Sequence, residues 1–216
     1  ARVEKLEQAE NRKLKKVEKQ TLKDDVVATL LPRAFSKYQQ TALWIDAENN
    51  LIYVDAASAK RAEEALALLR KSLGSLPVVP LTFANEPSLV MQEWVAKESI
   101  PQWLVSLEEA ELRDANNGVI RCKQQALDSD EILSLVNSKY VTKLALEWEE
   151  HLSFVLNEDC SLKRLKFADQ IREKNDDILK EDYAQRFDAD FVLMTGILSK
   201  LTENLLHDFG GEKERL

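Results

Sequence analysis

The sequence predicts an α+β fold, with antiparallel strands and meanders accompanied by long helices. Three observations point there. Short period-two runs separated by turn residues fill the middle of the chain, amphipathic helical stretches flank them, and no βαβα alternation is present. At 216 residues, 44% hydrophobic and 31% charged, the chain has an ordinary globular composition that suits one large domain or two small ones.

Residues 1–31 read as one long charged helix with a thin apolar stripe of Val3, Leu6, Val17, Leu22, Val26 and Leu30. No Met start and no capping residue precedes Val3, so the chain reads as a fragment whose N-terminal portion has been removed. Within the helix Arg12, Lys13, Lys15, Lys16, Lys19 and Lys23 make a basic strip broken by Glu18. Such a strip serves equally as a solvated face or as a surface that meets phosphates. Pro32 ends it, lacking an amide and disfavouring the α conformation at residue 31.

Leu43–Asp46 and Leu51–Asp55 are β-rich runs around Ala47–Asn50, a hairpin signal. A helix follows, with Ser58 as N-cap, Ala62, Leu66, Leu69 and Leu73 facing inward, and Gly74 just past its end. Pro77–Leu81 reads as a short edge strand, because its prolines bar a central one. A short helix spans Ser88–Val95. Trp103–Leu107 and Val119–Gln125 read as strands joined by a polar segment through Asn116, Asn117 and Gly118. Ser129 caps a helix of about ten residues. From 140 to 149, Thr142, Leu144, Leu146 and Trp148 fall on one face, with Lys143, Ala145, Glu147 and Glu149 on the other. Leu152–Leu156 and Leu162–Phe167 continue this meander across the turn Asn157–Asp159. The last third is helical, ending in a helix from about Asp182 to Phe209 that Gly210 and Gly211 stop.

No apolar run approaches the ~20 residues of a membrane span, and no signal peptide is evident. Two cysteines, Cys122 and Cys160, are too few for a disulfide framework, so a reducing cytoplasm is expected. The net charge of −8 argues against nucleic acid at face value, yet a chain average does not locate charge. Candidates for catalysis are weak. His151 falls in a turn and His207 in a last helical turn, Asp188 and Asp190 form a DxD at a helix start, and Asp46 and Asp55 end neighbouring strands as a conceivable carboxylate pair. Glycine-rich phosphate loops, GxSxG and HExxH are absent from the sequence. The expectation is a protein without enzymatic activity, metal or cofactor.

Several uninterrupted words carry a family resemblance: Leu30 to Ser36, Trp44 to Asp46, Ala57 to Lys60, Leu66 to Leu81 and Gly118 to Arg121. Val141 to Leu146, Ser161 to Phe167 and Ala184 to Phe191 extend it through essentially the whole chain. Together they resemble the RdgC family of bacterial recombination-associated proteins, without roughly that family's N-terminal quarter. The resemblance implies an elongated, curved subunit of a ring-shaped homodimer, closed head to head and tail to tail around duplex DNA. It also implies restraint of RecA-dependent recombination, support of replication, a nucleoid location and no cofactor. Residues 1–100 would then hold the charged helix with a hairpin–helix portion of the central or base region. Residues 101–140 would form a finger or tip, and residues 141–216 the meander and C-terminal helices.

Phosphate-contact candidates are the basic and polar residues of those words and of the basic strip: Lys13, Lys15, Lys16, Arg33, Lys37, Lys60, Arg61, Arg70, Lys71, Arg121, Lys123, Gln124 and Gln125. The last four are expected as a polar finger beside Asn116–Gly118, with Gln124 standing where family members can carry a second lysine. Lys163, Arg164 and Lys166 are a third cluster, with Arg164 expected opposite the other two. Phe35 is a candidate core residue or dimer contact. The alternative function is an acidic protein–protein adaptor with only incidental DNA binding. Single-stranded DNA remains a possible partner alongside duplex.

Overall fold

The computed structural model describes residues 2–175, 178–179 and 181–214. The chain divides into two compact units, Ala1–Ser75 and Leu76–Leu216. Among the described residues the α+β expectation holds, with antiparallel pairing in both sheets.

In the first unit, the expected single helix over residues 1–31 is two helices, α1 (Arg2–Ala9) and α2 (Lys16–Leu30). Asn11 takes a left-handed conformation (φ 48°), which asparagine tolerates, and this ends α1. Glu18 then reaches back to accept the Lys15 amide at 2.7 Å and a bidentate pair from Arg12, fixing a new helix start. Hydrogen bonds from Arg12 and the Lys15 amide hold the Glu18 carboxyl well below the usual carboxylate range. Pro32 falls in the short 3₁₀ turn Leu31–Arg33 that closes α2. Strands β1 (Leu43–Asp46) and β2 (Leu51–Val54) form the expected hairpin, with Trp44 stacked on Tyr53 at 4.4 Å. Its register pairs Asp46 with Leu51, while the Asp55 amide bonds Ala42. The two aspartates therefore sit at opposite ends of the hairpin, and the carboxylate pair is not formed. Asp46 instead accepts from the Asn49 amide and side chain, holding the turn. Helix α3 (Ala59–Leu73) is capped by Ser58, whose hydroxyl accepts the Arg61 amide, and ends at Gly74 with φ +80°.

The second unit carries the core. The segment Pro77–Leu81 forms no strand; only an isolated bridge, Phe83 to Glu212, follows it. Prolines 77 and 80 remove the amides a ladder would need. Helix α4 (Pro87–Ala96) leads to β3 (Val105–Arg113), β4 (Val119–Lys123), α5 (Asp130–Val136) and β5 (Tyr140–Trp148). Strands β6 (Leu152–Asn157) and β7 (Leu162–Phe167), then α6 (Asp169–Glu173) and α7 (Tyr183–Asp208), complete it. The sheet order is β4-β3-β5-β6-β7. The strand expected at Trp103–Leu107 begins two residues later and runs on through Glu108–Arg113, which look solvated in sequence. Similarly β4 stops at Lys123, where Gln124 turns left-handed (φ 53°). Helix α5 has seven residues rather than ten, and the hydroxyl of Ser129 caps nothing, lying buried without a hydrogen-bond partner.

One face of the sheet is covered. Leu144, Leu146, Phe154, Leu156, Leu112 and Cys122 from its strands meet Met91 and Trp94 of α4, Ile132 and Val136 of α5, and Leu201 and Leu205 of α7. Phe209, fully buried, stacks on Phe83 at 4.6 Å and meets Trp94 edge-on at 5.1 Å. Gly210 follows it at φ +79°, and a Cβ there would lie 2.7 Å from the Asn85 side-chain nitrogen. Gly210→Ala is expected to cost about 1–2 kcal/mol, because an L residue is strained at that φ and the Asn85 side chain must shift. Thermal melting followed by circular dichroism checks this, with a midpoint lower by roughly 3–6 °C expected.

Candidate nucleic-acid interface

The opposite face of the five-stranded sheet carries no helix from the core cluster, and its side chains follow from register. Glu111 of β3 pairs with Arg121 of β4 on one side and Lys143 of β5 on the other. Glu109 pairs with Lys123, Arg113 with Val119, Val155 with Lys163, and Ser153 with Lys166. Paired residues point the same way, so these cations share one face. A register shift between Ser153 and Val155 places an extra residue in β7, where Arg164 is left-handed (φ 53°). That bulge sets Lys163 and Lys166 in phase despite their odd spacing. The guanidinium of Arg164 reaches Glu109 at 2.9 Å.

The vertical arrangement of charge matters as much as its sum. The Glu111 side chain is only 7% exposed and takes Arg121 and Lys143 at 2.9 Å each, with Arg113 at 3.8 Å. The Arg121 side chain stays 69% exposed, and that of Lys123, 4.0 Å from Glu109, 65%. Burial alone raises the Glu111 carboxyl, but hydrogen bonds from Lys143 and Arg121 outweigh it and hold it below the ordinary range. Glu111 lies at the bottom with Arg121 and Lys143 above it, while Glu109 (34%) and Glu158 (41%) stay partly exposed beside their cations. Arg113, Arg121, Lys123, Lys143, Lys163, Arg164 and Lys166 outnumber Glu109, Glu111, Glu147 and the neighbouring Glu158, in a chain whose net charge is −8.

Of the sequence candidates, Arg121 and Lys123 fall on this face. Gln124 and Gln125 lie beyond the end of β4 remote from Asn116–Gly118, so the four do not cluster at that turn; Gln125 bonds Glu131 at 3.1 Å. The turn itself is held by Asp114, which accepts the Asn116 and Gly118 amides and an ion pair from Lys139 at 3.1 Å. Arg113 and Lys143 were not among the candidates; the alternation of β5 marked Lys143 as outward-facing, and only its pairing with Glu111 distinguishes it from a solvated lysine.

The remaining candidates belong to the first unit and are scattered within it. Lys13 and Lys15 lie in the connection between α1 and α2, and Lys16 opens α2, so the basic strip does not run along one helix. Arg33 is in the 3₁₀ turn and Lys37 in the extended segment after it. Lys60 and Arg61 are in the first turn of α3 and Arg70 and Lys71 in its last, some 15 Å apart along the axis. Arg61 is engaged with Thr41 and the Gln40 carbonyl, and Lys60 lies 4.0 Å from Glu64. Phe35 is fully exposed, which corrects the core option for it.

His207 is exposed beside Asp208, and His151 stacks on Trp148 at 4.0 Å. Among the described residues no group of three or more His, Cys, Asp or Glu side chains is placed to hold a metal ion, and no helix is long and apolar enough to cross a membrane.

Comparison with known proteins adds a family to this geometry. The sequence model of a family described as "Putative exonuclease, RdgC" matches residues 1–212. A protein of Pasteurella multocida (strain Pm70) is 76% identical over 217 residues, covering all of this chain and 72% of the relative. Proteins of Mannheimia succiniciproducens and Haemophilus influenzae (strain PittGG) are 75% and 73% identical with the same coverage. All three are named "Recombination-associated protein RdgC".

Proposed function

Because the chain belongs to the RdgC family of recombination-associated proteins, we propose that it is a non-catalytic protein that holds duplex DNA by its phosphates without reading base sequence. In this reading two copies close into a ring around the duplex, with Phe35 at one of the contacts. While the ring occupies DNA, the RecA recombinase is obstructed, which restrains recombination, aids replication and keeps the protein with the nucleoid.

The observation that carries the reading is the open sheet face, where cations outnumber carboxylates and Arg121 and Lys143 stand above the shielded Glu111. Phosphate contacts fix position and orientation while carrying no sequence information. Counterion release then supplies the affinity. The charges elsewhere on an acidic chain aid solubility without cancelling a local basic face. Lys13, Lys15, Lys16, Arg33, Lys37, Lys60, Arg61, Arg70, Lys71, Gln124 and Gln125 are secondary contacts in this scheme. An acidic adaptor, by contrast, needs no such face.

The test is fluorescence anisotropy of a labelled duplex titrated across a salt series. With four or more phosphates engaged, log K falls against log salt with a slope of about −3.6 or steeper, and a scrambled duplex binds equally well. Absence of binding at low salt overturns the reading. The family description names a second one, an exonuclease. Aliquots of the same titration incubated with Mg²⁺ or Mn²⁺ are expected to leave an end-labelled strand at full length, whereas a shortening ladder would establish the nuclease.

A further inference from the structure

Strand β4 (Val119–Lys123) is an edge of the five-stranded sheet, and among the described residues no strand pairs with its outer side. The phase of its hydrogen bonds follows from the turn before it. The Asp114 amide donates to the Gly118 carbonyl at 3.0 Å, so by antiparallel alternation Ile120 and Cys122 are the residues that bond β3. The amides and carbonyls of Val119, Arg121 and Lys123 therefore point away from the sheet. Unlike β7, this edge keeps an unbroken register and carries no proline. It is a regular template for one more strand.

We propose that the edge takes an extended acidic peptide as a sixth strand, a segment of a partner protein in which carboxylates alternate with apolar residues. Main-chain hydrogen bonds to Val119, Arg121 and Lys123 hold it, and side-chain charge selects it.

The charge argument starts from the two exposed cations. Arg121 engages Glu111 through Nε, and Lys123 lies 4.0 Å from Glu109. Those carboxylates also face Lys143 and Arg164, so four cations stand against two carboxylates and the edge stays cationic. A second copy of β4, or any basic strand, would meet like charge there. An acidic strand meets opposite charge. Its residues opposite Arg121 and Lys123 lie two apart, about 7 Å along the strand, and point to the same face. The residue between them falls on the other face, beside Ile120 and Cys122, which pack on the core. That position favours an apolar side chain.

The docking stands apart from the DNA reading, but its consequence rests on it. A peptide paired with Arg121 and Lys123 occupies two of the cations assigned to phosphates, so an acidic partner displaces duplex from this face.

The experiment uses a fluorescein-labelled eight-residue peptide alternating glutamate and valine, followed by anisotropy and by amide hydrogen exchange of the chain. Binding is expected with a Kd of about 100 µM or tighter, with exchange of the Val119, Arg121 and Lys123 amides slowed at least tenfold. Arg121→Gln combined with Lys123→Gln weakens the peptide at least tenfold. A peptide N-methylated at its glutamates keeps its charge but loses the ladder donors, and is also expected to bind at least tenfold more weakly. Methylated peptide within twofold of the parent overturns the proposal, since charge alone then accounts for binding. Edge amides already protected in the chain alone overturn it too, because another copy then covers them. Unlabelled peptide is finally titrated into the chain bound to labelled duplex. Peptide that protects the edge yet leaves the duplex bound sinks the DNA reading of this face alone. Duplex binding that needs Arg121 and Lys123, with no protection by peptide, sinks the sixth strand alone.

Discussion

Reversing Arg121 and Lys123 to glutamate together is expected to weaken duplex binding by about a hundredfold at moderate salt. Both cations are well exposed on the open sheet face, so each is available to one phosphate. Losing two phosphate contacts reduces the slope of log K against log salt by about 1.8. A hundredfold loss corresponds to about 2.7 kcal/mol, modest for two lost contacts and two introduced repulsions. Neutralisation to glutamine should give a smaller loss with the same change in slope. Competition anisotropy with unrelated duplexes is the measurement. Variants that bind as tightly as wild type would remove the sheet face from the interface and leave the cations of the first unit to account for any binding.

Replacing Phe209 by alanine is expected to have the largest effect on stability of any single change considered, about 3–5 kcal/mol. The ring is fully buried between Phe83 and Trp94, immediately before the left-handed Gly210. Its removal takes the ring contacts from Phe83 and Trp94 and adds the cost of a cavity to the lost burial. Thermal melting should show the transition of the larger unit falling by roughly 10 °C. Phe35→Ala is the matched control. Its ring is fully exposed in the single chain, so an unchanged melt is expected there. A Phe209→Ala melt within 2 °C of wild type would mean that the core does not depend on this cluster.

Much of the fold was legible because its signals are local. Ser58 and Gly74 bracket α3 by capping chemistry, and alternation from Tyr140 onward gives β5, β6 and β7 almost residue for residue. What escaped depends on partners distant in sequence. Glu109 and Glu111 look like solvent-exposed residues until β4 and β5 bring Lys123, Arg121 and Lys143 beside them. The break at Asn11 required Glu18 to prefer the Lys15 amide and Arg12 over an uninterrupted helix. Arg121 and Lys123 were found as candidates for their charge. The arrangement that makes them useful, Arg121 over the buried Glu111 and Lys123 beside Glu109, is written in register and is invisible to spacing alone. The bulge at Arg164 escaped for the same reason, since nothing in the sequence marks a left-handed arginine.

That bulge has a consequence for how the molecule behaves in a crowd. Strand β7 is the outermost of its sheet, and an outermost strand offers its unpaired amides and carbonyls to any other chain that can lie alongside. Arg164 interrupts the regular row of those groups, while Lys163 and Lys166 line the rim with like charge that a second copy would have to meet head on. The edge is thereby made a poor template for pairing with the same edge of a second copy.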